Sequence, residues 1–125
     1  MGWPKSLRGK GMTYIAAYGT LRKYDNEKGK VKGYRLVVPG NFHFPAAIPY
    51  KDEEITVELN PVEEWELSGF DRYENVGGGL YKRKLVNVKT EDGEHDAWMY
   101  IAGDAMVQYS NTFKKVPNND WECLM

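Results

Sequence analysis

Five stretches of this chain are rich in β-branched and aromatic residues, while a single stretch carries a helical period. That imbalance constrains the fold more than any other feature. Thr13 to Tyr18 meets no turn former until Gly19. Val31 to Val38 sets Tyr34, Leu36 and Val38 on one face and is broken by Pro39-Gly40-Asn41. Ile55, Val57 and Leu59 alternate with Thr56 and Glu58, which predicts a half-buried strand. Leu80 to Val88 and His95 to Ile101 flank Glu91-Asp92-Gly93, a hairpin signal, so these two strands are expected to be antiparallel neighbours.

The one helix is expected to start at Asn60 as cap. Pro61 would take the first helical position and Glu63 the place of a capping-box acid. It should end at Tyr73 or Glu74, where Asn75 and Gly77-Gly78-Gly79 stop it. At about 100° per residue, Val62, Trp65, Leu67, Phe70 and Tyr73 share an apolar arc. Asp71 falls near the edge of that arc or outside it. Glu74 falls inside, but so do Glu63 and Glu66, so the projection does not single it out. Its place beside the glycine run does add something, because the backbone there has room for a ligand.

Composition narrows the function. A length of 125 residues fits one domain with one real core. Lys plus Arg is 17 and Asp plus Glu is 18, so no basic field is available to hold a polyanion. No apolar run approaches the roughly 18 residues of a membrane helix. Lys5, Arg8 and Lys10 are not followed by an apolar run, so no signal peptide is expected and a cytoplasmic address is the default. Residues 1–12 are Gly-rich and read as a flexible extension to a domain over 13–125. Cys123 stands alone, so it makes no internal disulfide and reads as a free thiol. His43 and His95 lack ligand spacing, and no metal is expected. Alternation splits Lys82-Arg83-Lys84 between two faces, which reads as solvated surface.

The surplus is aromatic: 9 Tyr and 4 Trp in so short a chain must pack a core or line a pocket. Trp65 and Trp98 read as core. Tyr18, Tyr81 and Tyr100 read equally well as core or as pocket wall. Tyr18-Gly19-Thr20-Leu21-Arg22 directly follows the first strand. Such a turn can aim several backbone N–H groups at an anion, or it can be a plain strand-to-loop turn.

Tyr18-Gly19-Thr20-Leu21-Arg22 after a first strand resembles the signature of the γ-glutamylcyclotransferase-like, or AIG2-like, family. The resemblance continues in order. It runs through Val31 to Gly33, Phe44-Pro45-Ala46 and the helix end Leu67 to Glu74. It then takes in Leu80-Tyr81-Lys82-Arg83 with Leu85 to Val88, Ala97 to Ile101 and Asn118-Asn119-Asp120-Trp121. The sequence departs from the family pattern in the short, charged segment Tyr24 to Lys30, at Val57 and at Phe70.

The resemblance implies an α+β fold, a small mixed β-barrel with few surrounding helices. It implies intramolecular cyclisation of a small γ-glutamyl amine or γ-glutamyl amino acid to 5-oxoproline, a transferase or lyase type of reaction with no cofactor. Carried over by position, Tyr18, Gly19, Thr20 and Leu21 would anchor the substrate, and Glu74 would be the general acid/base. Tyr81 and Tyr100 would be pocket walls. The expected partner is a small γ-glutamyl compound, with no nucleic acid, no membrane and the oligomeric state open. Two other readings stand beside it. One is a non-catalytic small-molecule-binding or protein-interaction module on the same fold, consistent with the short segment after Arg22. The other is an unrelated small barrel that holds single-stranded nucleic acid through exposed aromatics, against which the balanced charge argues.

Overall fold

The computed structural model describes residues 13–19, 21–23, 25–40 and 42–121. The expectations for the extension 1–12, for Thr20 and for Cys123 lie outside the described residues. Six strands follow in chain order: β1 Thr13–Ala17, β2 Lys28–Val38, β3 Ala46–Val62, β4 Tyr81–Thr90, β5 Gly93–Ala102 and β6 Lys114–Lys115. Helix α1 spans Leu67–Tyr73 and α2 spans Asp104–Val107. The result is an α+β fold around a six-stranded mixed sheet in the order β1-β3-β5-β4-β2-β6. β1 also pairs with β5, and β3 with β2. The expected hairpin is present: β4 and β5 run antiparallel from Tyr81↔Ala102 to Thr90↔Gly93. No helix among the described residues is long and apolar enough to cross a membrane.

The alternation in β3 is real, but the inference that one face is wet is corrected. Ile55, Val57 and Leu59 are buried in the core with Leu36, Val88 and Met99. Thr56, Glu58 and Asn60 are buried as well. The segment between β1 and β2 folds across that polar face and hydrogen-bonds Glu58 and Asn60, while Lys30 of β2 donates to the Thr56 hydroxyl at 2.6 Å. Glu58 Oε1 accepts the Lys23 backbone N–H at 2.5 Å. Asn60 accepts from Asn26 at 2.8 Å and donates to the Leu21 carbonyl at 3.0 Å. Period-two patterning encodes two chemically different faces, and a hydrogen-bonded polar face can be buried. These bonds also fix Leu21 at the end of β1, where the site lies.

The expected helix start is corrected too. Asn60 and Pro61 belong to β3, paired with Ile15 and Tyr14 of β1. Long-range pairing overrides the local start signals. The chain turns helical only at the 3-10 turn Glu64–Glu66, whose cap is Glu63, and the Glu66 side chain accepts the Glu63 N–H at 3.4 Å. Because α1 begins late, its buried stripe shrinks to Leu67 with half-buried Phe70. Trp65, expected in the core, is 77% exposed, and Tyr73, on the expected apolar arc, is 67% exposed. The helix does end where the sequence placed its end, with Glu74 as C-cap. Asn75 then takes a left-handed φ of 54°. The glycine run returns the chain so closely that a Cβ on Gly103 would meet the Gly79 carbonyl oxygen at 2.2 Å.

Two substitutions separate the core from the exposed arc. Ile55→Ala is expected to lower unfolding free energy by about 2–5 kcal/mol. Trp65→Ala should stay within about 0.5 kcal/mol of the parent. Urea midpoints measure both, and comparable losses would contradict the burial described.

Candidate active site

One cavity of about 340 Å³ opens where β1 ends. The small side chains of Ala16 and Ala17 leave the space, and Tyr18, Gly19 and Leu21 form its rim. Phe44 and Pro45 close one side, while Tyr73 and Glu74 enter from the end of α1. Leu80, Tyr81 and Tyr100 complete it from β4 and β5. The structure therefore brings together Glu74, Tyr18, Gly19, Leu21, Tyr81 and Tyr100, residues far apart in the chain. Gly19 is required by close packing: a Cβ there would sit 2.7 Å from the Pro45 ring. Its carbonyl accepts the Arg22 N–H at 2.9 Å, closing the turn. Arg22 is buried and donates to Asp120 at 3.0 Å, which ties that turn to the C-terminal segment.

The three phenols are engaged by the protein. Tyr18 donates to the Tyr100 carbonyl at 2.6 Å and accepts the Ala47 N–H at 3.1 Å. Tyr81 donates to the Pro45 carbonyl at 2.7 Å. Tyr100 donates to Asp71 at 2.7 Å. Burial pushes all three phenol pKa values well above the ordinary tyrosine range, and the Glu74 charge adds to each rise. These hydroxyls therefore stay protonated and serve as fixed walls.

Sequence reasoning missed the role of Asp71. Its carboxylate holds Tyr100 and is gripped by the Arg83 guanidinium at 2.9 and 3.2 Å. The Arg83 guanidinium also lies 4.4 Å from the Trp98 ring centroid. Arg83 is thus a half-buried clamp between α1, β4 and β5, which corrects its reading as solvated surface. Trp98 is half-buried beneath it. The i, i+3 spacing of Asp71 and Glu74 was the available signal, since it puts both carboxylates on adjacent turns at the helix end.

Glu74 is the exception among the polar groups lining the cavity. No hydrogen bond to its carboxylate is found among the described residues. Burial beside aromatic rings pushes its pKa from 4.5 up to about 7, because a charge there loses water without gaining a partner. Near neutral pH such a group can both accept and return a proton.

Elsewhere, Glu27, Asp92 and His95 each bring one ligand atom within 4.8 Å of the others. This trio sits near the β4–β5 turn, at the other end of the hairpin from Tyr81 and Tyr100. His95 there is 3.1 Å from Asp92, a contact that a hydrogen bond explains.

A family model described as gamma-glutamyl cyclotransferase, AIG2-like, matches residues 15–123. No curated protein sequence matches the chain. Among solved structures, an Arabidopsis thaliana protein solved in solution is 19% identical with a TM-score of 0.69, covering 91% of this chain and 83% of its own. A structure named gamma-glutamyl cyclotransferase is 15% identical with a TM-score of 0.62, covering 83% of this chain and 69% of its own. A mouse AIG2-like protein is 20% identical with a TM-score of 0.62, covering 77% and 82%. At these identities the structures establish the shared fold.

The raised pKa makes a stability prediction. Between pH 4.5 and about 7 the folded state holds a proton on Glu74 that the unfolded state has released. Glu74 therefore contributes stability that is present below pH 4.5 and lost as pH rises through about 7. Glu74→Gln should remove this loss, so the variant gains on the parent as pH rises from 5 to 8. Denaturation at a series of pH values measures it, and parallel pH curves for the two proteins would contradict it.

Proposed function

The chain belongs to the gamma-glutamyl cyclotransferase, AIG2-like family, and from that premise we propose that it cyclises a small γ-glutamyl compound to 5-oxoproline with Glu74 as general acid/base. The observation that carries this reading is a single carboxylate, unpartnered among the described residues, with its pKa raised to about 7, lining an aromatic cavity. In this reading the return pairings of β1 with β5 and β3 with β2 close the sheet into a small barrel, with the pocket at one end.

The chemistry needs little beyond that carboxylate. The α-ammonium of the γ-glutamyl group gives its proton to Glu74. The freed amine attacks its own γ-carbonyl carbon, forming the ring C–N bond. The bond from that carbon to the leaving nitrogen then breaks as Glu74 returns the proton to that nitrogen, and the second proton of the new ring nitrogen passes by the same carboxylate to the amine, which departs as an ammonium. Atoms balance with no oxidant, metal or cofactor. Because the reaction is intramolecular, holding the bent conformer supplies much of the acceleration. The backbone N–H groups of the Gly19 to Leu21 turn, with Thr20 between them, carry the substrate carboxylate or the developing oxyanion. Tyr18, Tyr81 and Tyr100 shape the cavity and keep water from Glu74. Glu74 faces the cavity, which weighs against a pocket that only binds.

The direct test is 5-oxoproline release from a panel of γ-glutamyl amides and γ-glutamyl amino acids. Glu74→Gln should lower kcat/KM by about 10²–10⁴-fold. For the parent, kcat/KM should fall as pH drops below about 7, where Glu74 gains the proton that disables it as a base. Identical rates for parent and variant, or an acid limb near 4.5, would overturn the assignment.

A further inference from the structure

The pocket continues past Glu74. Leu21 and Tyr73, which line it, also line an open shelf with Trp65, Glu66 and Phe70. Trp65 and Tyr73 are the two most exposed large apolar side chains among the described residues, at 77% and 67%. Both lie on the same short helical stretch that delivers the reactive carboxylate. Scattered exposed apolar residues need no explanation, but a contiguous set beside a reactive group marks a contact surface. The charge on the shelf is equally specific. Among the described residues, Glu66 is its one charged lining residue, and no Lys, Arg or His lines either the shelf or the pocket.

We propose that this shelf is the leaving-group subsite and that it takes an apolar amine, aromatic or alkyl, bearing no carboxylate. The proposal rests on the cyclotransferase reading and deepens it. The 5-oxoproline half forms in the pocket beside Glu74. The departing nitrogen leaves past Tyr73 toward Trp65 and Phe70. A leaving amino acid would carry its carboxylate onto a surface with no cation and would face Glu66, so it loses solvation without gaining a partner. An apolar amine meets the faces of Trp65 and Tyr73 and the half-buried edge of Phe70, where its body is removed from water. The bonds are those of the parent reaction: the ring C–N bond forms, the C–N bond to the amine breaks, and the proton on Glu74 goes to the amine.

The test compares γ-glutamyl benzylamide with γ-glutamyl glycine, reading 5-oxoproline. The parent should favour the benzylamide by about tenfold or more in kcat/KM. Trp65→Ala should erase most of that preference through KM, and Glu66→Lys should shift it toward γ-glutamyl glycine. Equal kcat/KM for the two substrates in the parent would overturn the proposal, as would a preference that Trp65→Ala leaves intact. If neither substrate yields 5-oxoproline, the cyclotransferase reading fails and the shelf is judged on binding alone. Calorimetric titration of Glu74→Gln with γ-glutamyl benzylamide then decides. Binding that weakens severalfold when Trp65→Ala is added supports the shelf, and binding no tighter than that of γ-glutamyl glycine overturns it.

Discussion

The hydroxyl of Tyr18 joins the three strands on which the pocket is built. It donates to the Tyr100 carbonyl on β5 and accepts from Ala47 on β3, while its own residue directly follows β1. Backbone pairing here is sparse, with Ile15↔Trp98 between β1 and β5 and Ala47↔Ile101 between β3 and β5. One buried phenol thus does what a longer ladder does elsewhere in the sheet. The consequence is chemical as well as mechanical. A hydroxyl that donates to a backbone carbonyl has no free proton to offer substrate, and the same holds for the donor protons of Tyr81 and Tyr100. The walls of the cavity are polar groups already satisfied, so they behave as apolar, rigid surfaces.

Against those walls Glu74 stands out by what it lacks. Asp71, one helical turn earlier, is held by Arg83 and Tyr100. Among the described residues Glu74 receives no such partner, and burial lifts its pKa to about 7. Two carboxylates on one helix end are thereby driven apart in role by their surroundings. One is a structural anchor that fixes the angle of α1 against β4 and β5. The other is left with a proton affinity suited to transfer near neutral pH. A small fold of this kind needs few elements to build a site, because the closing turn, the helix end and two strand ends all meet at one cavity.

Much of this architecture is legible in the sequence, and the failures have definite causes. The strands expected over 13–18, 31–38, 80–88 and 95–101 follow from composition and period and are found over 13–17, 28–38, 81–90 and 93–102, and the β4–β5 turn follows from Asp92-Gly93. The helix end follows from Asn75 and the glycines. The helix start does not, because Asn60-Pro61 carries valid cap chemistry that pairing with β1 overrides. Trp65 is misplaced for the same reason, since its position on a helical projection presumes a helix that starts at Asn60, whereas the helix begins later. The wet face assigned to β3 fails because burial of Thr56, Glu58 and Asn60 depends on a segment some thirty residues away. Glu74 is indistinguishable from Glu63 and Glu66 on the helix projection. Only its neighbourhood in space separates it, and the family resemblance pointed to it by position rather than by physics.

The central claim is that burial without a partner sets the proton affinity of one carboxylate. The most direct measurement is a carbon NMR titration of the Glu74 side-chain carboxyl, assigned by the signal lost in Glu74→Gln. The account predicts a midpoint near 7. A midpoint near the ordinary 4.5 would mean that the carboxylate is solvated or paired, and would contradict it.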